Sequence, residues 1–304
     1  MSDDNKNAVL EAAERWWSTS IIDIHPGEID VRGYPIEQLI GAISFPQMIW
    51  LMVRGELPTK GQARLLEAAL VASVDHGPHA PSIAISRMAV SCGAELNNAM
   101  ASAINVLADV HGGAGQQCMD FYRMIRARIA AGFAPEEAIE DALPEYHEKY
   151  GAIVGGFGHR WHPVDPRTAP LLGLVEKAAA SGDVTGEFIA IGRAVESVLT
   201  RLKGKPIPMN IDGSTAVIFS ELGFEPEMGR GLFILSRSVG ILAHAWEQKE
   251  QGGRIKGPMP KSIPYTYTGP KSERRSRRPD NVDTQRSHPR TWHESIAARF
   301  RQTP

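Results

Sequence analysis

Six stretches of this chain carry apolar residues at every third or fourth position: 61–74, 95–110, 116–132, 134–143, 184–202 and 227–248. That spacing winds an apolar stripe along one face of an α-helix, so it predicts a mostly helical protein. The boundary residues agree. Pro135 opens the fourth stretch with Glu136 and Glu137 behind it, which suits the positive end of a helix dipole. Gly132 closes the third. In the last stretch Leu232, Leu235, Val239, Leu242 and Trp246 form one seam, read as core packing. The exception is residues 20–35, "SIIDIHPGEIDVRGYP", which predict one small β-hairpin around His25-Pro26-Gly27. Strands do not alternate with helices, which argues against a Rossmann domain.

Composition narrows the setting. With 304 residues, 42% of them hydrophobic, the chain can bury a sizeable core as one large domain or two smaller ones. No apolar run is long enough for a membrane span, and the acidic, polar start lacks the pattern of a secretory signal. Cys92 and Cys118 have neither zinc nor disulfide spacing; both fall in helix-like runs and are read as packing residues. A cytoplasmic protein is expected. Net charge is -2, yet Lys271 to Pro304 holds nine Lys/Arg against four Asp/Glu and few apolar residues. This 271–304 stretch is expected to be a basic, extended tail. Basic patches of this size are common, so nucleic acid is not an expected partner.

The glycines of "VGGFGHRWHPVDPR" (154–167) suggest a phosphate loop, but no Lys-Ser/Thr follows them and no G-x-G-x-x-G spacing is present. Glycine also lets a backbone approach a ligand closely or take a positive φ. On that reading His159 faces a cleft, and Pro163 and Pro166 stiffen the turn that points Arg167. Three other stretches share this pattern. They are "VDHGPHAPS" with Asp75 and His76, "VHGGAG" with His111, and "MNIDGSTA" with Asp212. Each sets a titratable side chain beside a glycine turn at the end of an apolar segment, where catalytic groups tend to sit.

These motifs, in this order, resemble the citrate synthase superfamily from about residue 18 to about residue 268. "IIDIHPGEIDVRGYPIEQL" is similar to the family's N-terminal hairpin. "RGELPT", the His76 segment, "HGGA", "GFGHR…DPR", "NIDG", "SRSVG" and "RIKGP" follow in family order. "DHGP" (75–78), "NIDGS" and "SRSVGILAH" are similar to citryl-CoA lyase and to the matching module of ATP-citrate lyase, whereas "HGGA" has the synthase form. The resemblance implies a mostly α, homodimeric, two-domain fold. Residues 1–112 and 224–270 would form a discontinuous large domain, and 113–223 a small domain closing over coenzyme A.

It also implies chemistry. Asp212 matches the carboxylate that moves the proton on the carbon beside the thioester. His111 matches the donor to the thioester oxygen. His159 matches the donor to the oxygen that alternates between hydroxyl and keto forms. Arg167 and Arg237 match carboxylate clamps, for which the planar guanidinium fork is suited, and His76 matches a further substrate contact. Gly257 stands where synthases carry an Arg that reaches the neighbouring subunit's site. Lys256, one place earlier, is the expected substitute acting in trans from a dimer partner, with Arg254 as the alternative. Arg160, Lys203 and Lys205 are candidates for the coenzyme A phosphates. No cofactor or metal is expected to be bound permanently; a coenzyme A thioester is substrate or product. The implied reaction is cleavage of citryl-CoA to acetyl-CoA and oxaloacetate. The alternatives are a citrate synthase, an enzyme for a related citramalyl- or methylcitryl-type thioester, or a non-catalytic or polyanion-binding relative.

Overall fold

The computed structural model describes residues 3–159, 163–257, 260 and 262–270. The basic tail, and Arg160 and His162 of the glycine motif, lie outside the described residues. Residues 1–258 form one compact unit. Of the second, 259–304, the described residues carry no helix or strand.

The chain opens with α1 (Asp3–Trp17) and a three-stranded antiparallel sheet, β1 (Ile22–His25), β2 (Glu28–Val31) and β3 (Tyr34–Pro35), paired in that order. The expected hairpin is its first half, with Ile24 opposite Ile29 and Gly27 turning at φ 87. The short β3 adds a third strand. Then come α2 (Ile36–Leu39), α3 (Phe45–Arg54), α4 (Lys60–Ser73), α5 (Pro81–Ser91), α6 (Leu96–Ile104) and α7 (Ala114–Ala130). The series ends with α8 (Pro135–Tyr150), α9 (Thr168–Ala180), α10 (Glu187–Lys203), α11 (Ile211–Glu221) and α12 (Pro226–Gln251). No described helix is long and apolar enough to cross a membrane.

Local chemistry explains the helix ends. Ser44 with Gln47, and Thr59 with Gln62, form reciprocal capping boxes that satisfy backbone N–H groups at the starts of α3 and α4. Asn210 caps α11 by accepting from the N–H groups of Asp212 and Gly213. The expected 95–110 helix stops at Ile104, where the chain turns toward Gly112 at φ 103. The expected 134–143 helix instead continues to Tyr150 through Pro144, which removes one N–H without ending the helix because Leu143 and Tyr146 are anchored in the core.

Helix α11 is the centre of the fold. Every residue from Gly213 to Ser220 is buried, and α4, α7, α9 and α10 pack around it. A second, smaller core of Ala80, Ile83, Ala103, Leu107 and Ile241 joins α5, α6 and α12. Two expectations fail. Cys118 is buried in α7, but Cys92 is exposed at the end of α5 and packs against no core. The α12 seam is not core either: Leu232 is buried, but Leu235, Val239, Leu242 and Trp246 are 40%, 58%, 41% and 49% exposed. The buried face instead carries Gly229, Ser236, Arg237, Gly240, Ile241, Ala245 and Gln248. Small residues are needed there: a Cβ on Gly240 would lie 2.2 Å from the Val74 carbonyl at the end of α4.

Candidate active site

Five chain segments converge: the end of α4, the start of α7, the loop bearing His159, the start of α11 and the middle of α12. They enclose a cavity of about 370 Å³ lined by Ser73, His76, His111, His159, Asn210, Asp212, Phe233 and Arg237 among others. Five of the residues singled out in the sequence therefore share one pocket.

Glycine contacts bring the pieces together. Gly156, at φ 88, lies so close to α11 that a Cβ would sit 2.6 Å from Cys118 Sγ and 2.8 Å from Gly213 Cα. A Cβ on Gly213 would lie 2.4 Å from the Gly156 carbonyl. Asn210 stitches the two segments, donating its backbone N–H to Gly156 O at 2.9 Å and its side-chain amide to Gly158 O at 2.6 Å. The glycines of the 154–158 stretch thus serve backbone-to-backbone packing that carries the His159 loop to the start of α11. The His159 and His76 rings have centroids 6.2 Å apart.

The histidine on the opposite side has a defined tautomer. The Ser82 backbone N–H, in the first turn of α5, donates to His111 Nε2 at 3.2 Å, and Ser82 Oγ lies 3.0 Å from the same atom. An Nε2 that accepts leaves the ring proton on Nδ1. Burial, with the positive charge of Arg237 and the neighbouring His76, holds His111 below its ordinary value, which favours the neutral ring. His76 is lowered for similar reasons: burial first, then Arg237 and Arg167.

Asp212 stands in the first turn of α11. Desolvation pushes its carboxyl above the ordinary carboxylate range; Arg237 and Arg167 oppose this without cancelling it, and the Asp165 charge reinforces it. Arg237 is buried on α12, where its Nε donates to the Ser73 carbonyl at 3.0 Å and its guanidinium lies 4.9 Å from the Phe233 ring centre. Arg167 is paired with Asp165, and its charge acts on both His76 and Asp212.

Other expected residues lie elsewhere. Lys256 does not enter this cavity. It lines another, of about 540 Å³, with His79, Arg87, His244 and Glu247, where its backbone N–H donates to Ser91 Oγ. Lys203 and Lys205 line a third, of about 390 Å³, walled by Ile153, Val154, Phe157, Leu199 and Ile207. Its wall includes Gly158, the residue before His159. Sequence reading missed Ser73, Ser82, Asn210 and Asp165. Only Asn210 carried a usable signal, an N-cap residue two places before the Asp-Gly of "NIDG". No group of three or more described His, Cys, Asp or Glu residues is placed to hold a metal ion.

The family model for the citrate synthase C-terminal domain matches residues 60–258. The chain belongs to the citrate synthase family. Within the family it is similar to the structure of citryl-CoA lyase from Hydrogenobacter thermophilus, with 33% identity and a TM-score of 0.72 over 84% of this chain and 96% of that one. It is 31% identical to the citrate synthase of Haloferax volcanii, over 73% of this chain and 55% of the relative. The ATP citrate lyase from Methanothrix soehngenii, solved with citrate and coenzyme A, shares the fold at 22% identity and a TM-score of 0.69, over 88% of this chain and 45% of that one. The chain spans about half the length of the curated citrate synthases it matches.

Proposed function

We propose that this chain is a citryl-CoA lyase-like enzyme, cleaving citryl-CoA to acetyl-CoA and oxaloacetate by a retro-Claisen step. One observation carries the reading: a carboxyl held toward its protonated form shares a 370 Å³ cavity with three imidazoles and a buried guanidinium.

The chemistry follows from charge. His159 takes the proton of the tertiary hydroxyl. As that oxygen becomes a ketone, the carbon-carbon bond breaks and its electron pair passes to the thioester as an enolate. His111, proton on Nδ1, donates a hydrogen bond to the developing oxyanion; a neutral donor suffices when it is pre-aimed in a dry site. Asp212, whose carboxyl burial pushes toward the protonated form, delivers a proton to the enolate carbon and yields acetyl-CoA. Arg237 and Arg167 hold the carboxylates, and His76 supplies a further contact. The nearby 390 Å³ cavity suits coenzyme A: apolar walls for a ring and Lys203 and Lys205 for phosphates, with Arg160 next to His159 in sequence. Coenzyme A is here part of the substrate, and no resident cofactor enters the scheme. Residues 113–223 would move as a small domain over it.

A homodimer belongs to the same reading. The exposed Leu235, Val239, Leu242 and Trp246 stripe on α12 is the surface a second copy would cover. Lys256, outside its own chain's cavity, would then serve the partner's. The setting proposed is cytoplasmic. A second reading, citrate synthase, is favoured by the 31% identity to the Haloferax volcanii enzyme. It uses the same residues in reverse and adds thioester hydrolysis.

One assay in three forms separates these. Acetyl-CoA released from citryl-CoA without citrate identifies the lyase. Free coenzyme A from acetyl-CoA plus oxaloacetate identifies the synthase. Turnover only of citramalyl- or methylcitryl-type thioesters redirects the substrate, and no turnover of any overturns the reading.

A further inference from the structure

Asp165 is the most heavily used carboxylate near the cavity, yet it does not line it. Its side chain is completely buried. One oxygen accepts the Arg167 backbone N–H at 3.0 Å and Arg167 Nε at 2.9 Å; the other accepts Arg167 Nη2 at 2.8 Å and the Ile211 backbone N–H at 3.0 Å. The first bond closes a tight Asx turn around Pro166. The last holds the opening residue of α11, the immediate neighbour of Asp212. Burial alone would raise this carboxyl, but its Arg167 bonds and that backbone donor hold it down at about 2. Asp165 is therefore a fixed negative charge.

The pairing also decides which donors Arg167 retains. Asp165 takes the side of the guanidinium formed by Nε and Nη2, and Nη1 reaches the Ala72 carbonyl at 3.5 Å. The outer edge, one N–H from each of Nη1 and Nη2, remains. That edge can still meet a carboxylate with two parallel bonds, but in only one direction.

We propose that Asp165 is a positioning residue that aims the outer edge of Arg167 at a substrate carboxylate and fixes the helix start that carries Asp212. The inference rests on the lyase reading above and extends it to a residue that touches no substrate. A buried ion pair rarely stabilises a fold much beyond well-packed apolar residues of similar size. This one links two parts of the protein, the Arg167 guanidinium and the start of the helix that carries Asp212. Its charge also favours the protonated form of Asp212, opposing Arg237 and Arg167.

The test separates geometry from charge in the full-length protein. Asp165→Asn loses the charge; Asp165→Glu keeps it but displaces it by a methylene. Oxaloacetate binding is measured by calorimetry, and the pH profile of kcat on citryl-CoA is recorded. Both variants should bind oxaloacetate about tenfold more weakly or worse, the scale of a misdirected charged hydrogen bond. Only Asp165→Asn should move the Asp212 limb, to lower pH, because the neighbouring negative charge is gone. Either variant binding oxaloacetate like the wild type overturns the proposal, as does Asp165→Glu shifting the limb as far as Asp165→Asn. If Asp165→Asn fails to fold, Asp165→Glu binding decides alone. A wild-type protein that binds no oxaloacetate and turns over no thioester overturns the lyase reading, and this proposal with it.

Discussion

The two faces of α12 differ in what surrounds them. The inner face mixes apolar Leu232, Ile241 and Ala245 with small and polar residues: Ser236, Arg237 and Gly240 lie against the end of α4, close enough for Arg237 to reach the Ser73 carbonyl. The outer face is apolar yet exposed in the single chain, from Leu235 to Trp246. Ordinary amphipathic logic assigns the apolar face to the core and the polar face to water. Here Phe233 and Arg237 line the candidate site, while the apolar stripe stays exposed in the single chain. A helical period reveals that a stripe exists; it does not say whose surface covers it.

Asp212→Asn should cut turnover by about a thousandfold, within the range for a lost general acid, while circular dichroism and melting stay near wild type. Retained rate would remove Asp212 from the mechanism. On the outer face, Leu235→Asp combined with Val239→Asp should weaken self-association by about a hundredfold, since burying each such side chain is worth about 1.5–3 kcal/mol. Sedimentation across a dilution series reads this; an unchanged mass would leave the apolar stripe without its proposed partner. Gly240→Ala tests the inner face. The added Cβ must move away from the Val74 carbonyl, at a cost of about 2–3 kcal/mol in chemical denaturation. An unaltered midpoint would mean that α12 and α4 separate easily.

The smallest effect concerns acid. Asp165, at about 2 in the folded protein against an ordinary 3.8, contributes stability that is fully present above 3.8 and is lost as pH falls toward 2. That contribution is on the order of 2 kcal/mol. Asp165→Asn should therefore show a flatter stability curve across this acid window. Asp212 works in the opposite sense. Its folded value is raised, so stability is highest below its unfolded value and declines as pH rises through the raised one. Asp212→Asn should remove that decline.

Much of this was legible in advance. The order of the glycine-flanked motifs led to His76, His111, His159, Asp212 and Arg237, which do share one cavity. The helix-forming stretches 61–74, 116–132, 184–202 and 227–248 lie within a few residues of α4, α7, α10 and α12. The central helix α11 was harder to see. It is buried almost all round, so its sequence shows no alternation between an apolar and a polar face. Ser82 was invisible for a different reason: its backbone N–H, not its side chain, sets the His111 tautomer. Asp165 looked like part of a turn because nothing in "VDPR" reveals that one carboxylate will reach both Arg167 and Ile211.

By itself, then, the amino-acid sequence determined the helical class, the places where the chain turns, and which side chains are chemically able to move protons or hold carboxylates. Those properties depend on spacing and residue type, which act over a few positions. The tertiary structure decided which of those side chains meet, which imidazole nitrogen keeps its proton, and that Lys256 falls outside its own chain's cavity. It also decided that the apolar face of α12 points outward. Each of these depends on contacts between segments tens to more than a hundred residues apart, such as Gly156 on Gly213 and Gly240 on Val74.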